Sequence, residues 1–519
     1  MLYPDLADSP NLRKAENMSR KNIIIDPQKK VTFNNKADYC VGTGRMGLAL
    51  TKEYLDQLKI VQEEIGFSYI RGHGLFCDDM AIYQEYEEKG RKKVEYNFTY
   101  LDRVMDSYLE LNIRPFLELG FMPEKMASGT QTIFYWKGNT TPPADYEKWC
   151  DMVKALLNHM IERYGLDTAL SFPIEVWNEP NLPGFWENAD MQEYFKLFKY
   201  SFNAVKSVNK DFKVGGPAVC GVMDELWIDS FMQFVSKEKL KIDFITRHHY
   251  TSEFPEKIGH YDYIKLMNAE DGFKNLQITR DIVDKYPEYK GLPIHITEFN
   301  TSYTPKGVIH DTNLNAAFLA QQLSRLGDMN ESYSYWTFGD VFEEQGVPFS
   351  IFSGDFGLVA NGCVKKPTFH TFAFYKQLKN IGSRCVYKDD SMVIVKADDG
   401  DGYAGIIWNL DPEKTRELAV SMPVPTGEYA IVEKVVDPDT CNPLKLWHDL
   451  GEHANPQKAE LELLRKAAEP MIRSEHFKVA NKVKYSVDVK PDGVVFFKLT
   501  KATTVSDRGY NYKKVMNMR

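Results

Sequence analysis

The sequence predicts an α/β chain: a closed (β/α)8 barrel, an accessory β-sandwich and a small helical element. Three observations carry that expectation. Across residues 37–345, eight short apolar runs alternate with segments of helical period. From residue 346 the texture shifts to short alternating runs between Gly, Pro and Asp turns, the grammar of a sandwich. A doubly wound nucleotide-binding sheet also alternates, but no fingerprint stands where such a sheet needs one.

The elements follow in order. Residues 1–32 form a lead segment in which "NIIID" (22–26) reads as a strand returning to the sandwich. The barrel occupies 33–345, with strands "YCVGTG" (39–44), "YIRGHG" (69–74), "RPFLELG" (114–120), "PIEVWNEP" (173–180), "KVGGPAVC" (213–220), "DFITRHHY" (243–250), "PIHITEFN" (293–300) and "YSYWTFGD" (333–340). Helical patterns lie between them, as at 51–66, 145–165 and 191–208, where Tyr194, Leu197, Tyr200 and Val205 share one face. The run "GTGRMG" (Gly42–Gly47) matches G-x-G-x-x-G literally. Its partner strand ends in "RGHG" rather than an acidic residue, so the glycines are read as a tight turn with close backbone approach. Residues 346–519 form the sandwich, with strands near 391–399, 403–410, 428–436, 482–489 and 493–500. A helical insert near 455–472 opens on Asn455-Pro456 and closes at Pro470.

Composition narrows the function class. With 519 residues, 43% hydrophobic, the chain can bury a large core, and a net charge of −9 disfavours nucleic acid or anionic membrane as partner. Seven scattered cysteines form no CxxC pair, so neither a zinc site nor a disulfide framework is indicated. With no apolar leader or membrane span read in the sequence, a cytoplasmic setting is expected. Aromatic residues make up 13% of the chain, and their faces suit sugar rings.

Barrel enzymes take their catalytic groups from the carboxyl ends of the strands. Those ends offer His73, Glu118, Asn178 with Glu179, His248 with Tyr250, Glu298 with Asn300, and Trp336 with Asp340. His248 and His249 point to opposite faces of one strand, which argues against a two-histidine metal site. Glu179 and Glu298, on the fourth and seventh strands, stand on roughly opposite walls of one mouth. That placement suits glycosidic cleavage, with one carboxylic acid protonating the departing oxygen and the other carboxylate attacking the anomeric carbon. The neighbouring carboxylate is expected to raise the pKa of Glu179. His73 is a candidate sugar-hydroxyl partner, Trp336 a candidate floor under a ring, and Glu118 is read as structural.

At "VWNEPNLPGFW", "HITEFNTSY" and "SYWTFGDVFEEQGVP" the chain resembles glycoside hydrolase family 39, specifically its bacterial β-xylosidases, and the likeness extends over nearly the whole sequence. The resemblance implies Glu179 as general acid/base, Glu298 as nucleophile and Asn178 as partner of the sugar 2-hydroxyl. It implies His73, His248, Tyr250, Tyr303, Trp336 and Glu344 around the non-reducing xylose, with Tyr135 in an aromatic wall over Phe134–Trp136. It further implies exo action on xylo-oligosaccharides, no metal or cofactor, and a homo-oligomer such as a tetramer. Two departures stand out. His249 replaces a small residue common in relatives and should face away from the sugar, and Gly339 replaces a commoner Ser. Related specificities, such as α-L-iduronidase, β-glucosidase or α-L-arabinosidase, share the family or its clan, and a non-catalytic sugar-binding barrel is a further alternative. A uronic acid would need a basic clamp, for which only Arg71 and Arg247 lie near strand ends.

Overall fold

The computed structural model describes residues 20–502 and 509–518, so residues 1–19 of the expected lead segment lie outside the described residues, as do 503–508 and 519. The eight expected strands are β1 (Cys40–Arg45), β2 (Tyr69–His73), β3 (Arg114–Leu119), β4 (Ile174–Val176), β5 (Val214–Val219), β6 (Phe244–Tyr250), β7 (Ile294–Asn300) and β8 (Ser332–Tyr335). Each pairs in parallel with the next, and β8 returns to β1 with Ser334 opposite Cys40. This is a (β/α)8, or TIM, barrel. The strands are buried on both faces, which explains their near-continuous apolar runs.

Helices α1 (Lys52–Glu64), α2 (Thr99–Glu110), α3 (Tyr146–Tyr164), α4 (Met191–Val208), α5 (Asp224–Glu238), α6 (Ala269–Asp284), α7 (Asn313–Met329) and α8 (Pro367–Ile381) follow the strands in turn. Several start on capping side chains that satisfy free backbone N–H groups: Asp145 accepts from Glu147 and Lys148, and Asp190 from Gln192 and Glu193. Helix α8 lies beyond the barrel end expected at 345. It docks on α7, where Tyr375 Oη donates to Ala320 O at 2.5 Å and Thr371 Oγ1 to Ala316 O at 3.0 Å. The Gly- and Pro-rich stretch after β8, read as the start of the sandwich, is instead a long rim connection. Fully buried Lys366 pins it, with Nζ 2.6 Å from Asp311 and 2.7 Å from Asp340, tying the loops after β7 and β8 together.

A six-stranded antiparallel sheet (384–389, 392–396, 403–408, 494–501, 427–436, 471–479) faces a three-stranded one (21–24, 416–423, 482–489). The strand Lys21–Ile24 pairs in parallel with Arg416–Pro423, burying Ile23 beside Val420 and Tyr485. Along Val494–Lys501, Val495, Phe497 and Leu499 enter the sandwich core while Phe496 meets Phe374 of α8 at 5.4 Å, so both faces are covered. The helical insert is shorter than expected, Lys458–Ala467, and joins Pro443–Asp449 in a small cluster around Trp447 and Leu464. Among the described residues no helix is long and apolar enough to cross a membrane.

Candidate active site

Strand β4 stops at Val176 because Trp177 turns to φ 72° and Glu179 to φ 43°, conformations that cost side-chain-bearing residues free energy. Local bonds hold the turn. The Trp177 indole donates to Phe185 O at 2.8 Å, and the Glu179 amide donates to Ala218 O at 2.9 Å. The left-handed turns break strand alternation, and adjacent Asn178 and Glu179 both line one cavity. Its volume is about 580 Å³, and Glu298 lines it as well.

Glu179 and Glu298 face each other across His248: their nearest oxygens lie 2.7 and 3.4 Å from His248 Nδ1. Glu298 takes two further donors, Arg71 Nη1 at 2.8 Å on Oε1 and Tyr250 Oη at 2.7 Å on Oε2. Burial pushes the Glu179 carboxyl up to about 7, opposed by the positive fields of His73 and Arg71 and aided by Glu118. Burial, rather than the expected repulsion from Glu298, is the leading cause. The Arg71 guanidinium sits against Glu298 and offsets that charge. Burial also pulls His248 down to about 4, leaving a neutral imidazole between the two acids. It raises Tyr250 and Glu344 well above their ordinary values, the Glu298 and Glu179 charges adding to the effect.

Arg71 is the centre of the barrel floor. Besides Glu298 it reaches Glu175 at 2.6 Å, Glu118 at 2.9 Å and the Asn178 amide oxygen at 2.9 Å, with the side chain fully buried. Glu118 therefore belongs to the floor network: its carboxylate also takes His73 Nδ1–H at 2.7 Å, which aims the other ring nitrogen toward Glu298 and Glu344. Burial penalises the Glu118 carboxylate, yet the His73 and Arg71 charges outweigh it and lower its pKa. Replacing Arg71 with Met strands three buried acids without a counter-charge. The expected loss is about 3–5 kcal/mol of stability, the scale for breaking a buried ion pair, read as a lower denaturant midpoint at unchanged slope.

The remaining expected residues fall as follows. His73, Asn178, His248, Tyr250, Tyr303, Trp336 and Glu344 all line the cavity with the two acids. Trp336 reaches its place because Gly42 lacks a side chain: a Cβ there would lie 2.4 Å from the indole. Tyr135 does not line the cavity. It is 62% exposed, and Phe134, turned inward at φ 66°, takes the wall position against His73. His249 points toward α6, where Gly272 makes room for its ring, and both border the outer part of the cavity. Sequence reasoning passed over Glu175, a charge inside an otherwise apolar strand, and left Arg71 unassigned although it shares strand parity with His73.

Glu179, His248 and Glu298 also bring ligand atoms within 4.8 Å of one another, close enough for a cation. Arg71 already supplies the positive charge at that point, and the Tyr250 hydroxyl occupies the other Glu298 oxygen.

The model for glycosyl hydrolases family 39 matches residues 21–484. The chain belongs to this family. Proteins similar to it include a beta-xylosidase of Geobacillus stearothermophilus, 47% identical over 462 residues, covering 88% of this chain and 90% of that protein. A beta-xylosidase of Caldicellulosiruptor saccharolyticus is 33% identical, covering 88% and 93%. Among solved structures, the GH39 enzyme from Xanthomonas axonopodis pv. citri superposes with a TM-score of 0.85 at 30% identity, covering 95% of this chain and 99% of that one.

Proposed function

We propose that this family 39 chain is a retaining, exo-acting β-xylosidase that releases xylose from the non-reducing ends of xylo-oligosaccharides. The observation that carries the reading is the facing pair Glu179 and Glu298. Their oxygens lie within 4.8 Å of each other, in keeping with the short carboxyl separation of about 5–5.5 Å that double displacement needs. In the first step Glu298 attacks the anomeric carbon while the Glu179 O–H passes its proton to the glycosidic oxygen, and the leaving sugar departs with the bonding pair. In the second, water gives a proton to the Glu179 carboxylate and its oxygen displaces Glu298 from the sugar. Once Glu298 is esterified, the Arg71 charge loses a partner and holds the Glu179 carboxyl lower, so the same group now serves as base. Asn178, anchored by Arg71, is placed for the 2-hydroxyl. Glu344 is placed to hydrogen-bond a sugar hydroxyl, and Trp336 and Phe134 offer apolar faces. Seven cysteines, none bridged, support a reducing cytoplasmic setting.

An iduronidase specificity lacks its clamp. Arg71 is shared among three carboxylates beneath the sugar, and Arg247, at the β6 edge of the cavity, is already paired with Asp224 at 2.8 Å. A panel of p-nitrophenyl glycosides tests the reading, with NMR of the first-formed anomer. The β-xyloside should be hydrolysed fastest, β-xylose should appear first, and chelator should change nothing. Initial α-xylose, or a faster uronide, would overturn it.

A further inference from the structure

The strand order divides the barrel mouth in two. Glu179 leaves β4 and Glu298 leaves β7, so a line between them separates the arc β8-β1-β2-β3 from the arc β5-β6. The first arc holds His73 and Trp336, with Glu344 from the rim connection after β8, gathered around Glu298. The second arc gives His248 and Tyr250 to the hydrolytic centre, while its outer part, the loops after β5 and β6, also lines the cavity and has no role in that centre. It is joined to the acid/base: Asn181, two residues after Glu179, donates to Cys220 O at 3.1 Å and Val222 O at 2.7 Å in the loop after β5.

We propose that this β5-β6 arc is the subsite for the leaving group, built to take a second neutral pyranose ring, with Phe254 as its stacking face. The inference rests on the double-displacement reading above. An acid must stand beside the oxygen it protonates, so the departing half of the substrate lies on the Glu179 side, away from the residues clustered at Glu298. Three features of the arc fit a sugar. Phe254, after β6, lines the cavity yet is 93% exposed, and Val222, 52% exposed on the loop after β5, lines it as well. A large apolar face left open at a cavity rim is unusual unless something covers it. Ser252, between β6 and Phe254, has an Oγ that is buried without a hydrogen-bond partner among the described residues, as a group awaiting a ligand hydroxyl would be. Among the described residues, the arc also lacks a free charge. Arg247 is taken up by Asp224 and by Asn275 Oδ1 at 2.6 Å, and Asp271 by Lys274 at 3.0 Å. An aromatic face plus an unpaired hydroxyl, without net charge, selects a polar, uncharged ring over an anionic or purely apolar one.

The test compares Phe254→Ala and Ser252→Ala with the parent enzyme on xylobiose and on β-xylosyl fluoride, whose leaving group has no ring to stack. For Phe254→Ala, kcat/KM on xylobiose should fall about tenfold, near the upper end of what one aromatic contact is worth, mainly through KM. On the fluoride it should fall by less than twofold. Ser252→Ala should show the same selectivity with a smaller loss. Equal losses on both substrates, or no loss on xylobiose for either variant, would overturn the subsite. Failure of the parent enzyme to hydrolyse either xyloside would instead remove the xylosidase reading on which it rests.

Discussion

Glu298→Ala is expected to abolish turnover of β-xylosides, with kcat falling on the order of 10⁶-fold, the scale for losing the attacking atom of a covalent mechanism. The variant should nonetheless fold, because Arg71 keeps Glu118 and Glu175 as counter-charges. What remains is a small anion site. The Arg71 Nη1 and Tyr250 Oη donors that held the two Glu298 oxygens at 2.8 and 2.7 Å now face the vacated space. Azide fits there, on the ring face opposite the leaving group. Added azide should therefore restore cleavage of an activated aryl xyloside, and the product should be a glycosyl azide of inverted configuration, identified by NMR. Undiminished activity, or an azide product of retained configuration, would remove Glu298 from the nucleophile position.

The barrel was readable from the sequence because both faces of each strand are covered, and that demand writes itself as eight apolar runs between turns. The meeting of Glu179 and Glu298 in one cavity was readable because charge at the tip of such a run has few structural uses. The connection after β8 was not, since Lys366 and its aspartates carry no local pattern that shows them meeting across loops. Tyr135 failed for a related reason: the neighbouring backbone turns left-handed at Phe134 and Lys137, so counting alternate residues picks the wrong ring. The cause of the Glu179 shift was likewise hidden. Two facing carboxylates suggest repulsion, but only the fold shows Arg71 set between three acids, which leaves burial as the leading effect.

That origin fixes the pH behaviour expected of Glu179. The first step needs its proton. Burial raises the carboxyl to about 7, so the acid is present below that pH and lost above it. The kcat/KM profile on xylo-oligosaccharides, which reports the free enzyme, should therefore fall as pH rises through about 7. Glu179→Ala should cost roughly 10²–10⁴-fold in kcat/KM on these substrates, the range for general acid catalysis. A dinitrophenyl xyloside needs little protonation, so its kcat/KM should drop far less. Its kcat should still drop, because no base remains to activate water against the glycosyl-Glu298 ester, and KM should fall with it as that intermediate accumulates. The alkaline limb should vanish from the dinitrophenyl kcat/KM profile. Azide here enters from the side of the missing acid, after Glu298 has already reacted, so its product should keep the substrate's configuration, opposite to that from Glu298→Ala. Equal losses on good and poor leaving groups, or an alkaline limb that survives the substitution, would assign the proton to another residue.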